Sequence, residues 1–327
     1  MKKTLAAGSV VAFLFLSVVT LQAQPRAEAV KAMYSTISGS QAILWIAKEA
    51  GLFKRNGLDV EAVYVSGGPA NVAALLSGEA GFSQNAGAPV LGADLKGADI
   101  VFITGAVNQL PYVLISSKDI RRAEDLRGKK VGISRFGASS EMVARLALRK
   151  LGIDDRTEVT LMQVGGVMER FASLQSGMIE ATVAELPVPQ KLKEAGYHLL
   201  LDLTKAGVPY QHTGLTVRRK FIETRPDTVR RFVKAYVEGV HYFKTQKKAS
   251  GEILTKYLRS ADQRYLAETV EIYAEHVPKA PYPTLSGIKT VLDLFYPDKA
   301  RAVNPSDFAD MRFVRELEES GFIGRLY

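Results

Sequence analysis

The sequence contains no cysteine. Disulfides, thiolate metal sites and lipid attachment to a cysteine are therefore excluded, and a chain of 327 residues is long enough to fold around hydrophobic cores without them. Only four histidines are present, at positions 198, 212, 241 and 276, and their spacing fits no metal-binding motif. The sequence also lacks a Gly-x-Ser-x-Gly elbow and a phosphate-binding loop. We therefore expect no catalytic residues, no metal and no cofactor.

A concentrated basic stripe is also missing. Basic residues outnumber acidic ones by 43 to 34, but they are scattered in short groups such as Arg121-Arg122 and Lys247-Lys248. Proteins that bind nucleic acids usually cluster their basic residues on one face. The sequence therefore predicts a solvated, mildly basic surface and no nucleic-acid partner.

The first residues have the pattern of a secretory signal peptide. Lys2-Lys3 form a basic start, Leu5 to Val19 an apolar run, and Leu21-Gln22-Ala23 places a small residue at a cleavage point. The apolar run is shorter than the roughly 20 residues that span a bilayer comfortably. We expect residues 1–23 to be removed, with Ala27-Glu28-Ala29 as an alternative cleavage site. The mature chain is then expected in the periplasm, and it is not a lipoprotein.

An internal repeat organises the mature chain. Several short motifs recur after 98 or 99 residues. The predicted order of elements between them also recurs: strand, small-residue turn, helix, strand, Gly-Gly turn, helix, strand. The paired phrases are Gly39-Ser40 with Gly137-Ala138-Ser139, Gly67-Gly68 with Gly165-Gly166, Ser77-Gly78 with Ser176-Gly177, and Pro89 with Pro187. A unit of this length is too long for a solenoid repeat. It predicts two similar α/β lobes with a ligand cleft between them.

The hydrophobic pattern gives an outline of these lobes. Alternation of strands with helices predicts mostly parallel pairing in two doubly wound lobes. Apolar segments near residues 112 and 213 read as two strands that cross between the lobes. We therefore assign 29–112 with 214–327 to lobe I and 113–213 to lobe II. After Pro226 the apolar residues recur at helical spacing, which predicts helices that cover lobe I.

Strand ends and helix starts supply the first candidate ligand contacts. In doubly wound lobes these ends meet at one edge, where free N–H groups suit an oxygen-rich or anionic ligand. In lobe I the candidates are Ser38, Gly39, Ser40 and Gln41; in lobe II they are Arg135, Gly137, Ser139 and Ser140. The alternative is that the serines only cap their own helices and the glycines only permit the turns.

Further candidates follow the third strand of each lobe and the returning crossing. Asn85 and Gly87 lie in a polar segment that we place just beyond a strand over Ala80 to Ser83, and Glu185 is its counterpart in the repeat. These residues could equally support their own loop or form a surface salt bridge. The returning crossing adds three more candidates, Tyr210, His212 and Thr213.

Arg135 is the residue expected to bind an acidic group, because a guanidinium binds a carboxylate or sulfonate with two parallel hydrogen bonds. Its alternative is a solvated arginine at the mouth of the cleft. Glu185 indicates a second, donor-bearing part of the solute, since a buried carboxylate without a partner is costly. Trp45, the only tryptophan, lies about one turn along the helix that starts at Gly39-Ser40, so we expect it near the cleft.

Several of these phrases resemble the sulfonate, taurine, nitrate and thiamine-precursor binding proteins of ABC importers (the SsuA/THI5-like, NMT1-like family). The resemblance covers roughly residues 30 to 245. The motifs on which the resemblance rests are the run from Ala42 to Leu58, Ser66-Gly67-Gly68, Leu75-Leu76-Ser77-Gly78-Glu79, Asp125 to Val131, and Phe221 to Val229. It implies a type II periplasmic binding-protein fold, a small-molecule solute captured by lobe closure, an ABC permease as partner, and a monomer.

The resemblance leaves alternatives open. One branch of this superfamily synthesises pyrimidine precursors with a cysteine-rich iron motif, and the absence of cysteine excludes that branch. A dehydratase-like enzyme on the same fold remains an alternative, as does a ligand carrier for a periplasmic sensor. Many relatives have Trp or Asp near the position of Glu185, so the resemblance does not name the solute, which we expect to be a small organic acid.

Overall fold

The structure is a computed structural model and describes residues 27–188, 192, 194–207 and 209–327. The expected signal peptide, residues 1–23, lies outside the described residues. Within these ranges, no helix is both long and apolar enough to cross a membrane.

Two β-sheets organise the chain. The first has six strands: β1 (Glu28–Tyr34), β2 (Leu58–Tyr64), β3 (Phe82–Ala86), β4 (Ile100–Phe102), β5 (Val107–Gln109) and β11 (Pro209–Arg218). The second has five: β6 (Tyr112–Ser116), β7 (Lys130–Ile133), β8 (Thr160–Gln163), β9 (Ala181–Glu185) and β10 (His198–Asp202). We call the first sheet and the helices packed on it lobe I, and the second sheet with its helices lobe II.

The repeat in the sequence corresponds to a repeat in topology. The first sheet has the order β2-β1-β3-β11-β4 and the second the order β8-β7-β9-β6-β10. In each sheet the fourth strand comes from a crossing between the lobes: β11 enters the first sheet, and β6 enters the second. The prediction of two α/β lobes joined by two crossing strands is therefore confirmed.

Pairing is more mixed than the sequence predicted. The strands of each repeat unit pair in parallel, as β2-β1-β3 and β8-β7-β9. The crossing strands pair antiparallel with their neighbours on both sides. A strand that arrives from the opposite lobe enters its sheet at the edge that faces the cleft. The parallel strands of the repeat unit end at that edge, so the crossing strand runs antiparallel to them.

Helices cover both sheets. In lobe I and its C-terminal extension they are α1 (Ala42–Glu49), α2 (Leu52–Arg55), α3 (Gly68–Ser77), α4 (Gly87–Asp94), α7 (Arg219–Thr224), α8 (Pro226–Thr245), α9 (Lys247–Leu258), α10 (Gln263–His276), α11 (Leu285–Phe295), α12 (Pro297–Ala300), α13 (Arg312–Glu319) and α14 (Phe322–Leu326). In lobe II they are α5 (Ser139–Lys150) and α6 (Val167–Gln175). Short 3-10 turns cover Gly39–Gln41, Ala123–Leu126, Thr204–Ala206 and Pro305–Phe308.

The largest hydrophobic core lies between the first sheet and the C-terminal helices. The apolar stripe of α8 is buried along its whole length, and α8 packs directly on α1. Burying such a stripe is what stabilises an amphipathic helix in a protein. Trp45 belongs to this core: it is fully buried and stacks on Tyr257, with ring centroids 4.8 Å apart. Trp45 is therefore a core residue, and its nearness to the cleft stays a prediction.

Strand β3 begins and ends later than expected. We placed it at Ala80 to Ser83, but it runs from Phe82 to Ala86 and therefore contains Asn85. The polar residues of this strand are buried and have partners inside the protein: the Oγ of Ser83 donates to Asn71, and the Oη of Tyr236 donates to Gln84 over 2.7 Å. Because hydrogen bonds offset the cost of burying polar groups, a polar strand is compatible with the interior here.

Candidate ligand-binding site

A small cavity lies between the two lobes, at the edge where strand ends and helix starts meet. Its free volume is about 40 Å³, a few times what one water molecule needs. Residues of both lobes and of the crossing strand β11 line it. They are Ser35, Thr36, Gln41, Gly67, Gly68, Asn85, Ala86, Pro89, Tyr112, Ser134, Ala138, Ser139, Ser140, Gly166, Val167, Arg170, Glu185 and His212.

In lobe I, the start of α1 provides Gln41. This side chain is almost completely buried, and its Oε1 accepts a hydrogen bond from Gln84 Nε2 over 3.0 Å. Gln84 is itself held by Tyr236. Because the oxygen of Gln41 is used in this way, its NH₂ group remains to donate to a ligand. The remaining lobe I candidates, Ser38, Gly39 and Ser40, are not among the residues that line the cavity.

Close packing accounts for Gly39. A Cβ atom at this position would lie 2.5 Å from side-chain atoms of Thr269 and Tyr273, so only glycine fits. Ser38 caps the 3-10 turn, accepting from the backbone N–H of Ser40. The Oγ of Ser40 is buried and has no hydrogen-bond partner within the described part of the chain. This corner therefore combines a structural glycine with a buried hydroxyl group close to the cavity.

In lobe II, the start of α5 provides two more lining residues. Ser139 has a buried Oγ without a hydrogen-bond partner among the described residues. The Oγ of Ser140 lies 2.7 Å from that of Ser134 and accepts from the Ser134 backbone N–H. Ser140 therefore holds its own turn together, whereas Ser139 keeps hydrogen-bonding capacity for a ligand at the positive end of a helix.

Arg135 does not line the cavity. Its side chain is exposed, and its Nε donates to the backbone carbonyl of Ser66 in lobe I over 3.1 Å. The carbon atoms of Arg135 lie against Gly67, where a Cβ would come within 2.7 Å of Arg135 Cδ. Gly137, two residues further on, has a positive φ of 79° and lies beside Pro69 across the interface. Arg135 and Gly137 therefore connect lobe II to lobe I at the mouth of the cleft.

Arg170 is the charged residue that sequence reasoning missed. It lies on α6, is only 5% exposed and lines the cavity. Its Nη1 donates to the carbonyl of Val183 over 2.6 Å and to Thr182, and its Nε donates to the carbonyl of Gly166. None of the hydrogen bonds among the described residues uses Nη2, so its two N–H groups can bind a ligand oxygen.

No carboxylate of the described residues lies within salt-bridge distance of Arg170. Burial lowers the pKa of its guanidinium, while the nearby Tyr112 and Glu185 act in the opposite direction. An arginine stays protonated at neutral pH even so. The site therefore contains a buried positive charge without a direct ion-pair partner, which is costly unless a ligand supplies the negative charge.

Glu185 lies at the end of β9 and bridges the lobes. Its Oε2 accepts from Ser38 Oγ over 2.5 Å and from Tyr273 Oη over 3.3 Å, both in lobe I. Its Oε1 lies 3.4 Å from His212 Nε2. Burial raises the pKa of Glu185, but the neighbouring His212 and the hydroxyls of Ser38 and Ser40 outweigh it and bring the pKa to about 2.

The other residues of the third strands and of β11 have mostly internal roles. Asn85 lines the cavity, yet its Nδ2 donates to Gly68 and its Oδ1 accepts from the backbone N–H of Ala86. Gly87 packs against β11, where a Cβ would lie 2.2 Å from the carbonyl oxygen of Gln211. Of the three candidates on β11, His212 lines the cavity and lies edge-on to Tyr112, with ring centroids 5.2 Å apart.

Tyr210 and Thr213 flank His212 but do not line the cavity. Both are fully buried, and their hydroxyl groups have no hydrogen-bond partner among the residues described. Burial also raises the pKa of Tyr210 far above its ordinary value, so it remains protonated. The described residues contain no cluster of three or more His, Asp or Glu side chains that could hold a metal ion.

The fold and the interlobe cavity place this chain in the class of two-lobed binding proteins. Residues 39–249 match the family described as NMT1/THI5 like. The chain belongs to this family.

The similar proteins include a protein of Brucella abortus named as a binding protein, 29% identical over 65% of this chain. The aligned stretch spans 66% of that relative, just under two thirds of its length. Among solved structures, the alkanesulfonate-binding protein SsuA of Xanthomonas axonopodis pv. citri, bound to MOPS, has a TM-score of 0.70 and 18% identity, covering 88% of this chain and 99% of its own.

Two further structures extend this range. The periplasmic nitrate-binding protein NrtA of Synechocystis PCC 6803 has a TM-score of 0.73 and 14% identity, covering 90% of this chain and 89% of its own. The desulfurization enzyme DSZB has a TM-score of 0.65 and 15% identity, covering 89% and 99%. At these identities the likeness shows the fold: the type II periplasmic binding-protein architecture expected from the sequence is confirmed. The family and the binding proteins among these relatives are not enzymes, although DSZB shows that the fold also carries an enzyme.

Proposed function

We propose that this protein captures a small acidic solute between its two lobes in the periplasm and delivers it to an ABC permease. One observation carries the proposal: Arg170 is buried in the wall of the interlobe cavity, lacks a carboxylate partner among the described residues, and has Nη2 available. A carboxylate or sulfonate would supply the missing negative charge and accept hydrogen bonds from the guanidinium.

Oriented backbone and hydroxyl groups support the same conclusion. The cavity lies at the starts of α5 and α6, where unpaired N–H groups and the helix dipole favour an anion. Ser139 contributes a buried hydroxyl without a partner among the described residues, and Gln41 contributes an oriented NH₂ group. These are neutral donors, so they suit an oxyanion of either kind. The solutes named for two structural relatives, alkanesulfonate and nitrate, are both oxyanions.

We assign Glu185 a different role from the one expected from the sequence. The expectation was that a donor-bearing part of the solute pairs with it. In the structure Ser38, Tyr273 and His212 already surround this carboxylate. The cost of an unpaired buried charge, which motivated that expectation, therefore does not arise. Because its partners belong to the opposite lobe and the crossing strand, we assign Glu185 to stabilising the closed arrangement.

The arrangement of Ser38, Glu185 and His212 also argues against a serine hydrolase. In a hydrolytic triad the histidine lies between the serine and the carboxylate, so that it can accept the serine proton. Here the carboxylate lies in the middle, and Ser38 donates to Glu185 rather than to His212. The serine is therefore not activated as a nucleophile.

A thermal-shift screen of the purified protein tests the acidic solute. Sulfonates, carboxylates and nitrate are compared with amines and neutral pyrimidines at equal concentrations. A ligand at about 100 times its Kd stabilises the folded state by about 2.7 kcal/mol, enough for a rise of several degrees. We expect the largest rise in Tm from an acid. A best ligand that is cationic would refute the acidic solute.

Delivery to a permease is tested separately from binding. Uptake of the best ligand is measured in cells with and without the gene for this protein. We expect uptake to fall when the gene is removed and to return when it is restored. Unchanged uptake, with binding still present in the purified protein, would favour the alternative in which the protein carries its ligand to a periplasmic sensor.

A further inference from the structure

A second cavity lies beside the first, also between the lobes. It has a free volume of about 110 Å³, larger than the inner cavity at about 40 Å³. Its walls are largely apolar and are formed by Ile37, Val167, Met168, Phe171, Leu258 and Tyr265. Ile37, Leu258 and Tyr265 belong to lobe I and the other three to α6 of lobe II. This cavity is therefore completed only when the lobes meet, as the inner one is.

We propose that this second cavity, the tail pocket, receives an apolar tail of the solute whose acidic group binds at Arg170. The inference rests on the proposed function and specifies its substrate class. The solute would be an organic acid with an aliphatic or aromatic tail, and a bare inorganic oxyanion would leave the tail pocket unused.

Helix α6 connects the two cavities. Val167 lines both of them. Arg170 follows Val167 by three residues and Phe171 follows it by four, and side chains at these spacings lie on one face of a helix. One helix face thus presents, side by side, the cation for the acidic group and the apolar wall for the tail.

The partial burial of the pocket residues supports a ligand rather than a core. Met168 remains 43% exposed, although its neighbours in the pocket are apolar, while Leu258 and Ile37 are buried. The polar residues of its lining are Arg259, Ser260 and Asp262, together with the hydroxyl of Tyr265. A concave, mostly apolar space with a few polar groups is typical of a small-molecule site.

A homologous series of linear alkanesulfonates and alkanecarboxylates tests the tail pocket by calorimetry. Burial of one methylene group is worth about fourfold in Kd. We expect Kd to fall about fourfold with each added methylene until the pocket is full, and then to level off. If short acids bind and longer tails add nothing, the tail pocket is refuted and the proposed function stands. If no acid binds, the proposed function itself fails.

Two variants locate the effect. Met168→Gln places an amide in the pocket wall, and Met178→Gln is its matched control, because Met178 is 54% exposed and does not line the pocket. We expect Met168→Gln to reduce the gain per methylene while short acids keep their affinity, and Met178→Gln to change neither. Ser260→Trp places a large side chain in the pocket lining and should end the gain at a shorter chain length. Equal gains in all three variants and the wild type would place the tail elsewhere and overturn the proposal.

Discussion

Replacing Arg170 by methionine should remove most of the affinity for an acidic solute while leaving the cavity filled. Arg170 is 5% exposed, so an anion bound to it is largely shielded from water. Truncating one partner of such a charge pair costs about 2–5 kcal/mol. The expected loss in affinity is therefore about 30-fold or more.

Arg135→Met is the matched control. Both changes remove one guanidinium near the cleft, but Arg135 is exposed and binds only the backbone carbonyl of Ser66. Exposed charge pairs contribute about 0–1 kcal/mol, so the expected loss is about fivefold or less. Arg170→Lys should lie between the wild type and Arg170→Met, because a lysine keeps the charge but loses the planar pair of donors.

Calorimetry measures both affinity and the fraction of active protein. This matters because Arg170 also donates to the carbonyls of Val183 and Gly166, and losing those bonds lowers stability as well. A lower binding stoichiometry with an unchanged Kd would report misfolded protein. Two results would refute the reasoning: an unchanged Kd in fully active Arg170→Met, or an equal loss of affinity in Arg135→Met.

Three further predictions concern closure, stability and processing. Gly166→Val should reduce ligand-induced compaction in small-angle scattering, because a Cβ there would lie 2.8 Å from Tyr64 Oη in the other lobe. Gly251→Val is the control, since a Cβ at Gly251 meets open space, and full compaction of the Gly166 variant would contradict the prediction. Asp155→Asn should lower the free energy of unfolding by about 2 kcal/mol at neutral pH, because Asp155 pairs with Arg145 and Arg149. Despite burial, these arginines lower the pKa of Asp155, so its contribution is present above about pH 4 and disappears as the pH falls through its folded-state pKa. A difference in the free energy of unfolding that does not shrink as the pH falls below about 4 would be inconsistent. Mass spectrometry of the exported protein should find an N-terminus before Glu28, because Glu28 begins β1 and its carboxylate accepts from Thr228; a chain starting after Ala29 would contradict this.

The fold could be predicted because its signals are local. Each repeat unit carries its own strand, turn and helix pattern, and glycines with positive φ such as Gly67 and Gly165 mark the same turn in both units. The antiparallel pairing of β6 and β11 could not be read in the same way. It depends on the direction from which a crossing strand enters a distant sheet, and the hydrophobic pattern of a buried strand is the same in either direction.

The candidate site could be predicted only in part. Gln41 and Ser139 follow from the strand-end and helix-start positions of the repeat. Arg170 had no comparable signal, because an arginine on an amphipathic helix is usually exposed. Here the side chain is buried and donates to the backbone of β9 at Val183. The partners of Glu185 were equally hidden: Ser38 is 147 residues away in sequence.

A crystal structure with the best acid from the screen tests the central claim most directly. The account predicts that the lobes are closed over one molecule, and that an oxygen of its acidic group lies within about 3 Å of Arg170 Nη2. Density for the acid outside the interlobe cavity, or in the cavity with its acidic group turned away from Arg170, would contradict the account.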